Sequence, residues 1–227
     1  MKHVKPLTSD IKPSIFLQAM HRIFLELKQN LRNGRIRKRG LKYADRLART
    51  RTEIKLDLGC GCSSRPGFVG VDLNKEADLQ WNIHWGLPFA DDSIKEIRSD
   101  HFVEHLELTD VIGVFSECHR VLVQSGALDF SVPHLDPYID AYLRRDYQFL
   151  SEKINDIPKG QEDLYSTCFD RISWLLYRAG EHKSLFDRDS IIAKLRLAGF
   201  SNLRIRAFDP NRDINWRFSS IYVVAVK

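Results

Sequence analysis

The sequence predicts an α/β fold in which helices wind both faces of a mostly parallel sheet, preceded by a basic helical extension. Three observations predict it. From residue 53 onward, short apolar strands alternate with amphipathic helices, the pattern of parallel strands joined by crossovers. A glycine turn, Gly59-Cys60-Gly61, follows the first strand, where an α/β sheet binds ligands. Charge also divides the chain: residues 1–55 hold 15 Lys or Arg against four Asp or Glu, a balance of +11 against −6 for the remainder. The division is therefore a basic helical extension over residues 1–52 and a domain over 53–227, with an insertion at about 133–187.

The 227 residues suit one such domain with an appendage, and 43% apolar with 29% charged residues is an ordinary globular balance. No apolar run approaches the about 18 residues of a membrane span, and no signal-peptide pattern opens the chain. A soluble, cytoplasmic protein is expected. The four cysteines, 60, 62, 118 and 168, form no C-x-x-C pair and read as reduced thiols. Cys60 and Cys62 lack the further ligands a metal site needs.

In the extension, Phe16, Met20, Ile23, Phe24, Leu27 and Leu31 repeat at helical spacing from Ser14 to Leu31, and Asn33-Gly34 supplies the stop. Arg32 to Arg51 then carries nine basic residues and one acid. Such a face suits peripheral contact with anionic lipid, as at the inner membrane face, contact with nucleic acid, or packing against the chain's own acidic domain.

Strands follow at 54–59 (IKLDLG), 68–73 (FVGVDL), 78–83, 94–99 (IKEIRS) and 127–132 (ALDFSV). Between the last two, Val111, Ile112, Val114, Phe115, Cys118 and Leu122 mark one face of a helix capped by Thr109 or Asp110. A helix from Asp189 to Leu197 closes at Ala198-Gly199, and strands at 203–208 and 220–226 complete the pattern. Only nine residues, Gly59 to Gly67, join the first two strands, too few for a full crossover helix. A pyrophosphate-cradling helix is thereby disfavoured, and with it a nicotinamide-dependent oxidoreductase.

The motifs LDLGCG (56–61), VDL (71–73), LPFADDSIKEI (87–97), HFVEHL (101–106) and HRVLVQSGALDFSVP (119–133) resemble, in order, those of class I S-adenosylmethionine-dependent methyltransferases, within the broad methyltransferase type 11 group. LFDRDSIIAKLRLAGF (185–200) adds support. The resemblance implies a Rossmann-like, doubly wound, seven-stranded sheet, mostly parallel with the last strand antiparallel. It implies S-adenosylmethionine as cofactor, with Gly59, Cys60 and Gly61 at its methionine end and Asp57 beneath them. Asp72 would hold the ribose, and Leu73 and Asn82 would lie near the adenine; Asp100, following the strand at 94–99, stands at the carboxyl end of the sheet as a further cofactor-binding candidate.

Ser99 to Leu106, SDHFVEHL, contains the H-x-x-E-H spacing of a zinc site on a helix. A helix starting at Thr109-Asp110 leaves residues 101–106 about one turn of their own, so no metal is expected; the methyltransferase resemblance implies that Glu104 is structural and His105 packs. Methyl transfer to a hydroxyl is helped by a base, for which His101 and His134 stand at the correct sheet edge. The insertion, rich in Tyr and Phe, would select the acceptor or form a helical subdomain of its own. A small-molecule or glycan hydroxyl is the expected acceptor. Nucleic acid is disfavoured, because SDHF stands where amino-methylating enzymes of nucleic acids carry N/D-P-P-Y/F. The other alternative is a non-catalytic binding protein on the same fold. Oligomeric state is not encoded in any visible motif.

Overall fold

The computed structural model describes residues 13–213 and 219–227. The side chains of residues 13–19 and 23 fall outside the described set, and with them the apolar positions Phe16 and Ile23. The first element, α1, is one helix from Pro13 to Thr50. The stop expected at Asn33-Gly34 does not occur. An interior glycine costs only about 1 kcal/mol relative to alanine, and the Arg, Lys and Leu around it are good helix formers. Asn33 accepts a side-chain hydrogen bond from Gln29 one turn earlier (3.3 Å) instead of breaking the helix.

Gly40 fixes where α1 meets the domain. A Cβ there would lie 2.4 Å from the Trp81 ring, so only glycine lets the helix settle on Trp81 and Leu79. One turn further on, Ala44 and Leu47 are buried in the main core.

Seven strands form one sheet: β1 (Lys55–Leu58), β2 (Val69–Asp72), β3 (Leu79–Gln80), β4 (Ile94–Asp100), β5 (Leu122–Pro133), β6 (Asn202–Arg206) and β7 (Ser220–Val226). Their order is β3-β2-β1-β4-β5-β7-β6. The first five strands pair in parallel, whereas β7 runs antiparallel to both β5 and β6. This is the seven-stranded arrangement with an antiparallel last strand that the resemblance implies. The strand order reverses between β1 and β4, which makes their carboxyl ends the switch point where such sheets bind ligands.

The two faces of the sheet differ. On one, α2 (Leu108–Val121) and α6 (Arg188–Leu197) bury Val111, Phe115, Cys118, Ile191 and Leu195 in the same core as Leu56, Ile97, Leu128 and Phe130. On the other, the register aligns Asp57, Arg98 and Asp129 in one row, and Asp100, Ser131, Tyr222 and Arg206 in the next. Arg206 binds Asp129 (2.7 Å) and Asp213 (2.6 Å), while Arg212 reaches Asp129 (2.8 Å). The buried charges of Asp129 and Asp213 are tolerated because each meets a guanidinium. The short β1–β2 connection forms turns, as its length requires.

Glu107, not Thr109 or Asp110, is the N-cap of α2; Asp110 lies inside the first turn, where its charge complements the helix dipole. Within the insertion, α3 (Asp136–Leu143), α4 (Tyr147–Lys153) and α5 (Cys168–Tyr177) share a small core of Tyr138, Ala141, Leu150, Ile154 and Ile172. A capping box between Thr167 and Asp170 starts α5. Among the described residues, no helix is long and apolar enough to cross a membrane.

Candidate active site

The turn after β1 is built around Asp57. Its carboxylate, 1% exposed, accepts from the Arg65 amide (3.0 Å) and from the Arg65 guanidinium, which ties the far end of the loop to the strand beneath it. Burial raises the Asp57 carboxyl above its ordinary range, against the opposing charge and hydrogen bonds of Arg65. Asp57 thereby fixes the shape of the loop that carries Gly59, Cys60 and Gly61.

Gly59 and Gly61 both have positive φ, +69° and +64°. A Cβ on Gly59 would collide with the Phe102 ring at 2.4 Å, whereas one on Gly61 would meet nothing within 4 Å. The first glycine permits close packing and the second borders open space. Cys60 lies between them, its thiol pushed up to about 12 by burial and by the carboxylates of Asp57, Asp72 and Asp78. It is protonated at neutral pH and is no nucleophile.

Asp72 ends β2. Its Oδ2 accepts from the Gly61 amide (2.9 Å) and its Oδ1 from the Asn74 amide (2.8 Å). Each carboxylate oxygen has a further lone pair, so Asp72 can still accept two hydroxyls. Leu73 beside it is 68% exposed. Asn82 caps the short 3-10 turn Ile83–Trp85, accepting from the His84 amide (3.1 Å). Asp100, at the end of β4, accepts from the Ser131 hydroxyl. Cys60, Gly61 and Asp72 thus share one end of the sheet, with Leu73 adjoining them.

A cavity of about 560 Å³ opens at the ends of β4 and β5, beneath the insertion. His101, Glu104, Tyr138, Lys153, Asp156 and Arg178 are among its lining residues. His101 adopts a left-handed conformation, φ +51°, which is uncommon outside glycine and marks local strain. Its Nδ1 lies 3.1 Å from Glu104 Oε1 and its Nε2 lies 2.9 Å from Ser220 Oγ. With a carboxylate at Nδ1 the proton sits there, and Nε2 is the basic nitrogen. His134 stands at the end of β5 outside the cavity lining, its Nε2 bonded to Asp136 (3.0 Å). Of the two candidate bases, the fold brings His101 to the cavity.

The 3-10 turn Val103–His105 replaces the continuous helix that an H-x-x-E-H zinc site would need. Sequence reasoning missed what sits opposite it. The amides of Lys183 and Ser184 donate to the Glu104 carbonyl (2.8 and 3.1 Å), which carries His182 to His105, ring centroids 5.5 Å apart. Burial holds the His182 imidazole below its ordinary pKa, so it is neutral at pH 7. No sequence period links residues 77 apart, so no local signal could have found this pair.

No protein-family model matches the chain, and no curated protein matches it. Among solved structures, it is similar to a SAM-dependent methyltransferase from Archaeoglobus fulgidus: 17% identity, 87% of this chain and 94% of that one, TM-score 0.48. A second, an S-adenosylmethionine-dependent methyltransferase from Mesorhizobium loti, is 16% identical over 77% of this chain and 90% of the other, TM-score 0.46. A third, from Methanosarcina mazei and also a SAM-dependent methyltransferase, is 14% identical over 77% and 92%, TM-score 0.47.

Proposed function

We propose that the chain transfers a methyl group from S-adenosylmethionine to an oxygen of a small molecule or glycan. The observation that carries this reading is Asp72, whose carboxylate grips the Gly61 amide and retains acceptor capacity beside open space above that glycine. The residues present suit the nucleoside: Asp72 for the ribose hydroxyls, Leu73 as an exposed apolar surface for the adenine, and Gly61 for close backbone approach at the methionine end. When bound, the cofactor supplies a sulfonium methyl carbon, whose bond to sulfur breaks with both electrons staying on sulfur as the new carbon–oxygen bond forms.

The chain's own part is alignment and proton removal. His101, oriented by Glu104, lines the cavity; its Nε2, held by the Ser220 hydroxyl (2.9 Å), would take the acceptor's proton once that hydroxyl turns aside, and a cavity lined by Lys153, Asp156 and Arg178 suits a polar acceptor. Titration calorimetry with S-adenosylhomocysteine tests the reading. One-to-one binding is expected. Absence of heat, or binding of NADH in its place, overturns it and favours a non-catalytic fold or an oxidoreductase.

The acceptor side would work at an anionic lipid surface. Met20, Phe24, Leu27 and Leu31 are each at least half exposed along one stripe of α1, flanked by Lys28, Arg32 and Arg35 with Glu26 the only nearby acid. A second copy of this helix would oppose like charges, whereas anionic lipid meets both the apolar stripe and its basic flank. Co-sedimentation with vesicles containing phosphatidylserine is expected, weakening with salt and on Phe24→Ser with Leu27→Ser. No binding, or a dimer that buries the stripe, refutes this.

A further inference from the structure

We infer that Glu104, His105 and His182 form a binding site for one divalent first-row transition metal ion, of the zinc type, in the wall of the acceptor cavity. One ligand atom from each lies within 4.8 Å of the other two. No hydrogen bond joins them. What they lack is a common partner.

Glu104 is the sharpest sign. Its side chain is 1% exposed, its Oε1 is taken by His101, and its Oε2 has no hydrogen-bond partner. An unpaired carboxylate oxygen at that depth carries a penalty of several kcal/mol on the order of a lost charged hydrogen bond, unless something cationic meets it. Arg178, which also lines the cavity, is spent on Asp156 (2.7 Å) and Glu181 (3.4 Å).

The histidines are prepared in the matching way. His105 Nδ1 lies 2.9 Å from the Glu181 carbonyl, and His182 Nδ1 lies 2.9 Å from the Leu175 carbonyl. A carbonyl can only accept, so each Nδ1 carries the proton and each Nε2 keeps its lone pair. This is the arrangement by which backbone carbonyls fix metal-binding imidazoles in tautomer and orientation. Ligands roughly 2.0–2.2 Å from one ion stand about 3–4 Å apart, so closing the set needs side-chain movement of about 1 Å.

Two imidazoles and one carboxylate select zinc and its neighbours over magnesium, which prefers oxygen ligands and retains its water. All three residues belong to the cavity, so the ion's remaining positions face the space where an acceptor would lie. A hydroxyl oxygen of the acceptor can join the ion there. That role rests on the methyltransferase reading, whereas the site itself does not.

The test uses full-length protein stripped of metal by dialysis against a chelator, then titrated with Co²⁺ followed by absorption and with Zn²⁺ followed by calorimetry. One ion per chain and visible Co²⁺ bands are expected. His182→Ala, at a loop position, and Glu104→Gln, which preserves shape, should each weaken binding by about 100-fold or more, since even supporting residues around metals cost about 10–100-fold. Folding of each variant is checked by circular dichroism, and His105→Asn replaces any that fails. No stoichiometric Co²⁺ complex, or one that survives loss of His105 and His182 unchanged, overturns the site. S-adenosylhomocysteine is titrated into the same samples. Metal without nucleoside leaves the site standing and removes the methyltransferase reading; nucleoside without metal does the reverse.

Discussion

The two sides of the site are assembled in different ways. The proposed cofactor side comes from one unbroken stretch, Asp57 to Asn82, whose side-chain hydrogen bonds are short in sequence: Arg65 to Asp57 spans eight residues, Gly61 to Asp72 spans 11 and Ser64 to Asp78 spans 14. The acceptor side joins His101 to Ser220, the Glu104 carbonyl to Lys183, and a cavity wall drawn from the insertion. A side built from neighbours is specified by backbone chemistry that any short segment carries. A side built from distant segments exists only once the whole fold does, so the two should fail separately when mutated.

The largest expected effect is on turnover and belongs to the acceptor side. His101→Ala removes the proposed base, and general-base loss costs about 10²–10⁴-fold in rate. S-adenosylhomocysteine affinity should change little, because Asp72 and Gly61 are untouched. His134→Ala, outside the cavity lining, is expected to cost much less. Single-turnover methylation of a panel of hydroxyl acceptors, beside calorimetry, checks both; equal losses in the two variants would remove His101 as the base.

Next come the paired glycines, which show where the two sides touch. Gly59→Ala combines left-handed backbone, about 1–2 kcal/mol, with a collision against Phe102, about 1–3 kcal/mol. Gly61→Ala carries only the backbone cost, about 1–2 kcal/mol, because nothing stands near it. Urea unfolding measures both. Phe102 leads directly into the Glu104 turn, so Gly59→Ala should also disturb Co²⁺ binding while Gly61→Ala should not. Equal destabilisation would mean that the Phe102 contact is not held in solution.

How much of this is legible in the sequence follows the same division. The strand at 220–226 matches β7 residue for residue, and the nine-residue connection forbids a helix, because hydrophobic runs and chain length are local quantities. Gly199, expected to close the last helix, does so with φ +102°. Where a local signal competes with a tertiary one, reading fails. Asn33-Gly34 looks like a stop, yet α1 continues through it to the contact between Gly40 and Trp81, 41 positions along the chain. The approach of His182 to Glu104 and His105 is likewise invisible in the sequence, because backbone hydrogen bonds that no spacing announces bring it there.

Smaller still is the effect of Asp72→Ala, which should cost about 10–100-fold in S-adenosylhomocysteine affinity, the worth of about 1.5–3 kcal/mol for hydrogen bonds to a charged group. Asp72→Asn keeps one acceptor oxygen and should lose less. Neither should alter Co²⁺ affinity, and a change there would break the independence of the two sides.

The smallest effect is expected at Leu73, and it isolates the ligand from the fold. A leucine left 68% exposed contributes little to folding, so Leu73→Ser should leave the urea midpoint unchanged. An adenine lying over it would bury part of a side chain whose full burial is worth about 1.5–3 kcal/mol, so affinity should fall by only about 5-fold. A stability loss would mean that Leu73 packs against the protein itself. An unchanged affinity would move the base elsewhere along the sheet edge, leaving the ribose contact at Asp72 to stand alone.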